Sequence, residues 1–219
     1  LIRRGENQLL EANTLNGGQL RIGASDTICR YYLVPFFQEF HRKYPNVHIK
    51  VANQTSIACA KMLENGQVDF IITNYPNSSL SNVQSIRPLK EFRDVFVANP
   101  EYFPLKGQKV SLRTLQTYPI LMLDRKSTTS EFLHHMFQKY QLDLVPEIEL
   151  TSNDLLIDLA RIGLGIAFIP DYCLTKMPED LFLLEMKEEL PKRKLALAYN
   201  SHVPVSKAAV EFMHLLQPV

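Results

Sequence analysis

Residues Leu20–Thr27 read LRIGASDT, a short apolar strand that turns into a helix reaching to about Lys43. Hydroxyl side chains at such a turn cap the helix by accepting hydrogen bonds from its first N–H groups. The remaining N–H groups and the positive end of the helix dipole favour an anion at the same place. Ser25, Asp26 and Thr27 are therefore candidate ligand contacts.

The same order of strand, Ser/Thr turn and helix recurs three more times. The further turns are Thr55-Ser56, Ser127-Thr128-Thr129 and Thr151-Ser152. Two β-α-β-α-β sets result, which predict two doubly wound α/β subdomains with parallel strands. Ligands bind at the carboxyl ends of the strands in such sheets, so the turns predict a small-molecule cleft with helix N-termini on both walls.

Local patterns add detail to these sets. Pro35 lies early in the first predicted helix, where it indicates either the true first turn of that helix or a kink in it. A helix from Glu131 to Tyr140 is expected after the third turn. In the helix after the fourth turn, Leu155, Leu156, Leu159 and Ile162 are predicted to point inward.

Composition excludes several classes of protein. A net charge of +1 gives no sign of a nucleic-acid surface in these residues. No apolar run reaches the roughly 18 residues of a membrane span. The start, Leu1–Gly5, does not resemble a secretory signal. Cys29, Cys59 and Cys173 are at no motif spacing and are interpreted as thiols of a reducing compartment.

Catalysis and metal binding are not predicted. The six histidines include no i, i+4 pair on one helix with a carboxylate, so no metal and no cofactor are expected. No Gly-x-Ser-x-Gly and no phosphate-binding loop occurs. Ser25 has Asp26 beside it, but neighbours on a turn point in different directions. The chain is therefore predicted not to be an enzyme.

Several segments resemble one known family, the effector-binding domain of LysR-type transcriptional regulators. The resemblance extends from about Gly17 to Leu216. The segments that carry it are Gly18–Ser25, Leu33–Pro35, Tyr44-Pro45, Asn65–Ile72 and Arg161–Pro170.

The resemblance implies two Rossmann-like subdomains joined by two crossover strands, the type 2 periplasmic-binding-protein-like fold. It places the end of a linker helix in residues 1–16, subdomain I in 17–95 and 197–219, and subdomain II in 96–196. Phe92–Ala98 and Leu195–Tyr199 match the crossovers. The winged helix-turn-helix domain of the family is absent from these residues, so DNA is expected to be contacted only through it.

The resemblance also implies a function and its residues. It implies a cytoplasmic homodimer or tetramer, paired through the first helix and second strand, that binds a small anionic effector. Asn53-Gln54-Thr55-Ser56 departs from the commoner Gly-rich turn, which leaves the effector's identity open. The implied effector contacts are Ser25, Asp26 and Thr27, Thr55 and Ser56, Thr73 or Asn74, Ser127, Thr128 and Thr129, and Pro170.

Two other classes of protein remain open from the sequence. A solute-binding protein of a transporter shares this architecture. The three cysteines and the linker-like start argue against it. A small α/β enzyme is the more distant alternative, since no nucleophile has a base within predicted reach.

Overall fold

A computed structural model of the chain describes Leu15, residues 17–81 and residues 84–216. The segment predicted as the end of a linker helix, residues 1–16, lies outside the described residues apart from Leu15. Among the described residues, no helix is both long enough and apolar enough to cross a membrane.

Strands and helices alternate along most of the chain. The strands are β1 Gln19–Ala24, β2 His48–Asn53, β3 Phe70–Tyr75, β4 Gln84–Ala98, β5 Lys109–Val110, β6 Ile120–Leu123, β7 Ile148–Leu150, β8 Ile166–Pro170, β9 Phe182–Leu183, β10 Glu185–Met186 and β11 Lys192–Asn200. The helices are α1 Asp26–Ile28, α2 Val34–Lys43, α3 Ser56–Glu64, α4 Leu112–Leu115, α5 Thr128–Lys139, α6 Asn153–Arg161 and α7 Lys207–Leu215. A π-helical turn spans Cys29–Leu33, and a 3₁₀ turn spans Asp171–Cys173.

The chain folds into two compact units, and the strands β3, β4 and β11 each contribute residues to both. Unit 1 contains the described parts of Leu1–Thr73, Asn77–Lys90 and Leu195–Val219. Unit 2 contains Asn74–Pro76 and Glu91–Lys194.

Unit 1 is built on three parallel strands in the order β2-β1-β3. Phe70, Ile71 and Ile72 of β3 are fully buried in succession, as expected for a parallel strand covered on both faces. The carboxyl ends of these strands lie at one edge of the sheet. That edge therefore brings together the turns that begin α1 and α3.

Helix α7 closes the core of unit 1 from the far end of the chain. Its fully buried Phe212 has ring centroids 5.2 Å from Phe40, 5.7 Å from Phe37 and 5.8 Å from Phe70. These rings belong to α2, β3 and α7, so unit 1 is complete only when the last helix has packed.

Unit 2 repeats the parallel arrangement as β7-β6-β8. Strand β4 pairs antiparallel with β8, with Asp94 opposite Pro170 and Val97 opposite Ala167. Phe96 and Phe168 meet across this pair at 4.7 Å between ring centroids. The predicted pair of doubly wound α/β subdomains is thus confirmed.

Pro35 lies in the first turn of α2, within a helical stretch that continues from Asp26 to Lys43. The N–H of Val34 bonds to the carbonyl of Cys29, five residues earlier rather than four. A proline ring crowds the carbonyl four residues before it, and the wider π-helical turn gives that carbonyl room.

Two expectations for the helices were wrong. Helix α5 begins at Thr128 instead of Glu131, because Ser127 caps it by accepting the N–H of Ser130 at 3.0 Å. In α6, Leu156 is buried as predicted, but Leu155 is exposed, as is Ile162 directly after the helix, and Ile157 and Ala160 are buried instead. Two apolar stripes of this helix fit a 3.6-residue period, and packing against the sheet selected the other one.

Candidate functional site

Each of the four predicted turns supplies a helix N-cap. In unit 1, Ser25 accepts the N–H of Ile28 at 3.3 Å, and Thr55 accepts the N–H of Ala58 at 3.2 Å. In unit 2, Ser127 caps α5, and the fourth turn uses Ser152. A hydroxyl oxygen that accepts from the helix keeps its own O–H for donation, so capping and ligand contact are compatible roles. The O–H of Ser127 already donates to the carbonyl of Asp124 at 3.1 Å.

A buried asparagine ties two of the candidate residues together in unit 1. Asn77 donates through Nδ2 to Thr73 Oγ1 and to the carbonyl of Ser56, both at 3.0 Å. Its Oδ1 accepts the N–H of Ser79 at 3.0 Å. Asn77 therefore fixes the end of β3 against the start of α3. Sequence reasoning missed it, although an asparagine directly after Tyr75-Pro76 is a turn signal.

Asp26 gives the α1 turn a negative charge of its own. This exposed carboxylate lies in the first turn of α1, where it complements the helix dipole, and it accepts from Asn53 Nδ2 at 3.4 Å. Thr27 beside it is buried. The α1 turn thus offers hydroxyl and N–H donors without net positive charge.

The first turn of α5 in unit 2 is buried. Thr128 and Thr129 are only 3% and 1% exposed. In a helix that begins at Thr128, the N–H groups of these two residues have no acceptor within the helix. A buried helix N-terminus of this kind favours an anion.

Arg193 lies against this turn. Its Nη1 donates to Asp94 Oδ2 at 2.6 Å and to Thr129 Oγ1 at 3.3 Å. The guanidinium carbon is 5.3 Å from the ring centroid of Phe92 and 5.0 Å from that of Phe132. Burial raises the pKa of Asp94, and the charge of Arg193 acts in the opposite direction.

Sequence reasoning also missed Arg193, because Lys192-Arg193-Lys194 looks like a solvated run of charges. The signal was the alternation of β11, in which both lysines are exposed while Arg193 and Leu195 are buried. A strand with period 2 places residues 193 and 195 on the same face.

The remaining predicted site residues of unit 2 lie close by in the same packing. Pro170 is the last residue of β8 and faces Asp94 across the strand pair. Tyr172 donates to Asn74 Oδ1 at 2.9 Å, and its ring meets that of Phe92 edge-on at 5.1 Å. Burial raises the pKa of Tyr172 well above its ordinary value, so the phenol is a neutral donor.

The cysteines are poor nucleophiles. Burial raises the pKa of Cys29 to about 11 and that of Cys59 to about 12, and it raises that of Cys173 further. All three thiols are therefore protonated near neutral pH. Within the part of the chain that the structure describes, no three His, Cys, Asp or Glu side chains form a metal-binding group.

His134 on α5 makes stability depend on pH. Partial burial lowers its pKa below the ordinary value of 6.5, and the positive charge of Arg125 lowers it further. The unfolded chain therefore binds a proton at a higher pH than the folded chain. The contribution of His134 to stability is fully present above pH 6.5 and is lost as the pH falls toward the folded-state pKa.

His134→Gln is accordingly expected to reduce the loss of stability on acidification from about pH 7.5 to 5.5. Urea unfolding at a series of pH values in both proteins measures this. His202→Gln, at an exposed position away from α5, is the control and should leave the wild-type pH profile in place. An unchanged profile in the His134 variant would contradict the assignment.

Comparison with known proteins shows the family of this chain. Residues 13–219 match the family model of the LysR substrate binding domain. The chain belongs to this family. The resemblance that the sequence motifs indicated is thus confirmed. Between the two binding-protein classes that the sequence left open, the match identifies the LysR domain and not the solute-binding protein of a transporter.

The curated relatives of this LysR domain are transcriptional regulators. CysB of Haemophilus influenzae is 25% identical over 207 residues, which cover 93% of this chain and 62% of CysB. A probable RuBisCO transcriptional regulator of Trichormus variabilis is 27% identical over 215 residues, which cover 95% of this chain and 64% of that protein. The chain thus spans less than two thirds of the length of either relative.

Solved structures share the fold. The regulatory domain of CcmR from Synechocystis PCC6803, in complex with 2-PG, aligns with a TM-score of 0.81 at 21% identity, covering 91% of this chain and 95% of that one. The effector-binding domain of QuiR in complex with shikimate aligns with a TM-score of 0.77 at 15% identity, again covering 91% and 95%. The type 2 periplasmic-binding-protein-like fold predicted from the motifs is thereby confirmed.

Proposed function

We propose that this LysR domain senses a small anionic effector, which binds at the capped helix N-termini of the strand ends. The observation that carries the proposal is the edge of the unit 1 sheet, where the hydroxyl caps Ser25 and Thr55 begin α1 and α3. Asn77 holds Thr73 and the start of α3 together at this edge. The proposed contacts in unit 2 are Ser127, Thr128, Thr129, Asn74 and Pro170.

The related domains support this proposal by what they hold. CcmR is bound to 2-PG and QuiR to shikimate. The proposed role is sensing without turnover, with the effector favouring one conformation of the domain through its different affinity for the two states. DNA is contacted through a separate N-terminal domain, and the proposed location is the cytoplasm.

The proposed assembly is a homodimer or tetramer formed through unit 1. Val34 on α2 is 54% exposed and Val51 on β2 is 36% exposed, and Tyr32 and Phe36 lie partly exposed with ring centroids 5.2 Å apart. Exposed apolar side chains on neighbouring elements are typical of a subunit interface.

Ser25→Ala and Thr55→Ala are expected to weaken effector binding about tenfold, because a hydrogen bond to a charged group contributes roughly 1.5–3 kcal/mol. A thermal-shift screen of small carboxylates, phosphate esters and neutral analogues first identifies a ligand, and titration calorimetry then measures its affinity for each variant. Thr27→Ala tests the third residue of the α1 turn in the same way.

The matched control is Ser206→Ala. Ser206 caps α7 by accepting the N–H of Ala209 at 3.1 Å, so this variant loses a cap of the same kind, about 1 kcal/mol of stability, without touching the proposed site. If Ser25→Ala and Thr55→Ala lower the melting temperature as Ser206→Ala does but keep the full ligand-induced shift, these residues are only caps and the proposed site is wrong.

A further inference from the structure

The first turn of α5 combines burial with unused hydrogen-bond donors. The N–H groups of Thr128 and Thr129 have no carbonyl acceptor within the helix. The next N–H, that of Ser130, already donates to Ser127 Oγ. Buried N–H groups without an acceptor are rare in native proteins, since each one sacrifices its hydrogen bond with water.

Arg193 adds a second, independent set of unused donors at the same turn. Arg193 is 2% exposed, and both of the hydrogen bonds that its guanidinium makes among the described residues, to Asp94 and to Thr129, come from Nη1. Nε and Nη2 of Arg193 have no hydrogen-bond partner among the described residues, and neither does Asp94 Oδ1. The ion pair with Asp94 is therefore monodentate, although the geometry of a guanidinium allows a bidentate pair with a carboxylate.

The surroundings of Arg193 strengthen its charge. Phe92 and Phe132 lie within 5.3 Å and 5.0 Å of the guanidinium carbon and exclude water from it. Electrostatic interactions gain strength where water is excluded. One nitrogen of the guanidinium, Nη1, donates to both Asp94 and Thr129. The positive charge is therefore in direct contact with the first turn of α5.

Thr129 links this charge to a hydroxyl donor. Its oxygen accepts from Arg193, which directs the hydroxyl hydrogen of Thr129 away from the guanidinium. The turn thus presents two backbone N–H groups, one oriented O–H and a positive charge behind them. An oxyanion is the group that satisfies all of these donors.

We infer that Arg193 is a positioning residue that, through Thr129, makes this domain select effectors with a carboxylate or phosphate group. The inference rests on the proposed function and deepens it, because it names the residue that gives the proposed site its preference for an acidic group. A purely structural ion pair predicts no preference between an acid and its neutral ester.

The experiment compares acids with a neutral ester on the same 219-residue chain. Inorganic phosphate, shikimate and methyl shikimate are titrated by calorimetry and thermal shift, with phosphate and shikimate separating a phosphate site from a carboxylate site. Wild type should prefer shikimate over its methyl ester. Thr129→Val should weaken binding of the acid about tenfold and leave that of the ester unchanged.

A double variant, Arg193→Met with Asp94→Leu, removes both charges together and keeps a filled core. It should lose the preference for the acid while keeping the affinity for the ester. The matched control is Arg161→Met, which removes an arginine of unit 2 that forms an exposed ion pair with Asp180 at 2.9 Å, and it should retain the preference.

The outcomes separate this inference from the proposed function. If Thr129→Val and the double variant keep the wild-type preference while Ser25→Ala weakens binding, Arg193 is structural and the sensing function stands. If the wild type is stabilised by neutral analogues alone, both the acid selectivity and the anionic character of the proposed effector are overturned, and sensing of a neutral effector is what stands. If the variants of both units leave ligand binding unchanged, the proposed site fails as well.

Discussion

Arg193→Met alone is expected to lower the free energy of unfolding by about 3–5 kcal/mol. The substitution leaves Asp94, which is fully buried, without its counter-charge. It also removes a cation that lies between the rings of Phe92 and Phe132. Urea unfolding followed by circular dichroism measures the loss.

The double variant Arg193→Met with Asp94→Leu should recover most of that stability. Replacing a buried ion pair by apolar side chains of similar volume is often neutral or stabilising, because the cost of removing two charges from water disappears. Arg161→Met should change the free energy of unfolding by roughly 1 kcal/mol or less, since exposed pairs contribute little. A double variant as unstable as Arg193→Met would show that the loss comes from packing and not from an unpaired charge.

Phe212→Ala is expected to lower the free energy of unfolding by about 3–5 kcal/mol, the range for deleting a fully buried aromatic ring. The ring is in contact with three others, Phe37, Phe40 and Phe70, and its loss leaves a cavity that these side chains cannot fill without leaving their rotamers. Denaturant unfolding in urea gives the difference between variant and wild type.

His214→Ala on the same helix is the control, because His214 is exposed. Its substitution should change stability by roughly 0.5 kcal/mol or less. Equal losses in the two variants would mean that α7 does not pack into unit 1 through Phe212.

Local patterns predicted most of the secondary structure. The strand Ile148–Leu150 was predicted with its observed bounds, and β6 likewise. β6 is a short apolar run and β7 alternates apolar and charged residues, and each lies between strong turn signals that favour a short strand. The start of α5 was placed three residues late, because Thr128 and Thr129 looked like turn residues and the cap that extends the helix over them is a contact of Ser127.

The buried face of α6 was harder to predict from the sequence. Leu155 and Ile162 satisfy the helical period as well as Leu156 and Ala160 do, so the sequence contains two candidate stripes. Only packing against the sheet of unit 2 distinguishes them.

The sequence by itself determined the α/β class, the parallel direction of the strands within each repeat, the family motifs and the hydroxyl turns, because these depend on periodicity, capping and turn chemistry within short segments. The tertiary structure alone decided the roles of Asn77, Asp94 and Arg193. Asp94 and Arg193 are 99 positions apart in the chain and join across strands β4 and β11. No local pattern encodes such a pair, since its burial and its partner are set only when distant strands pack together.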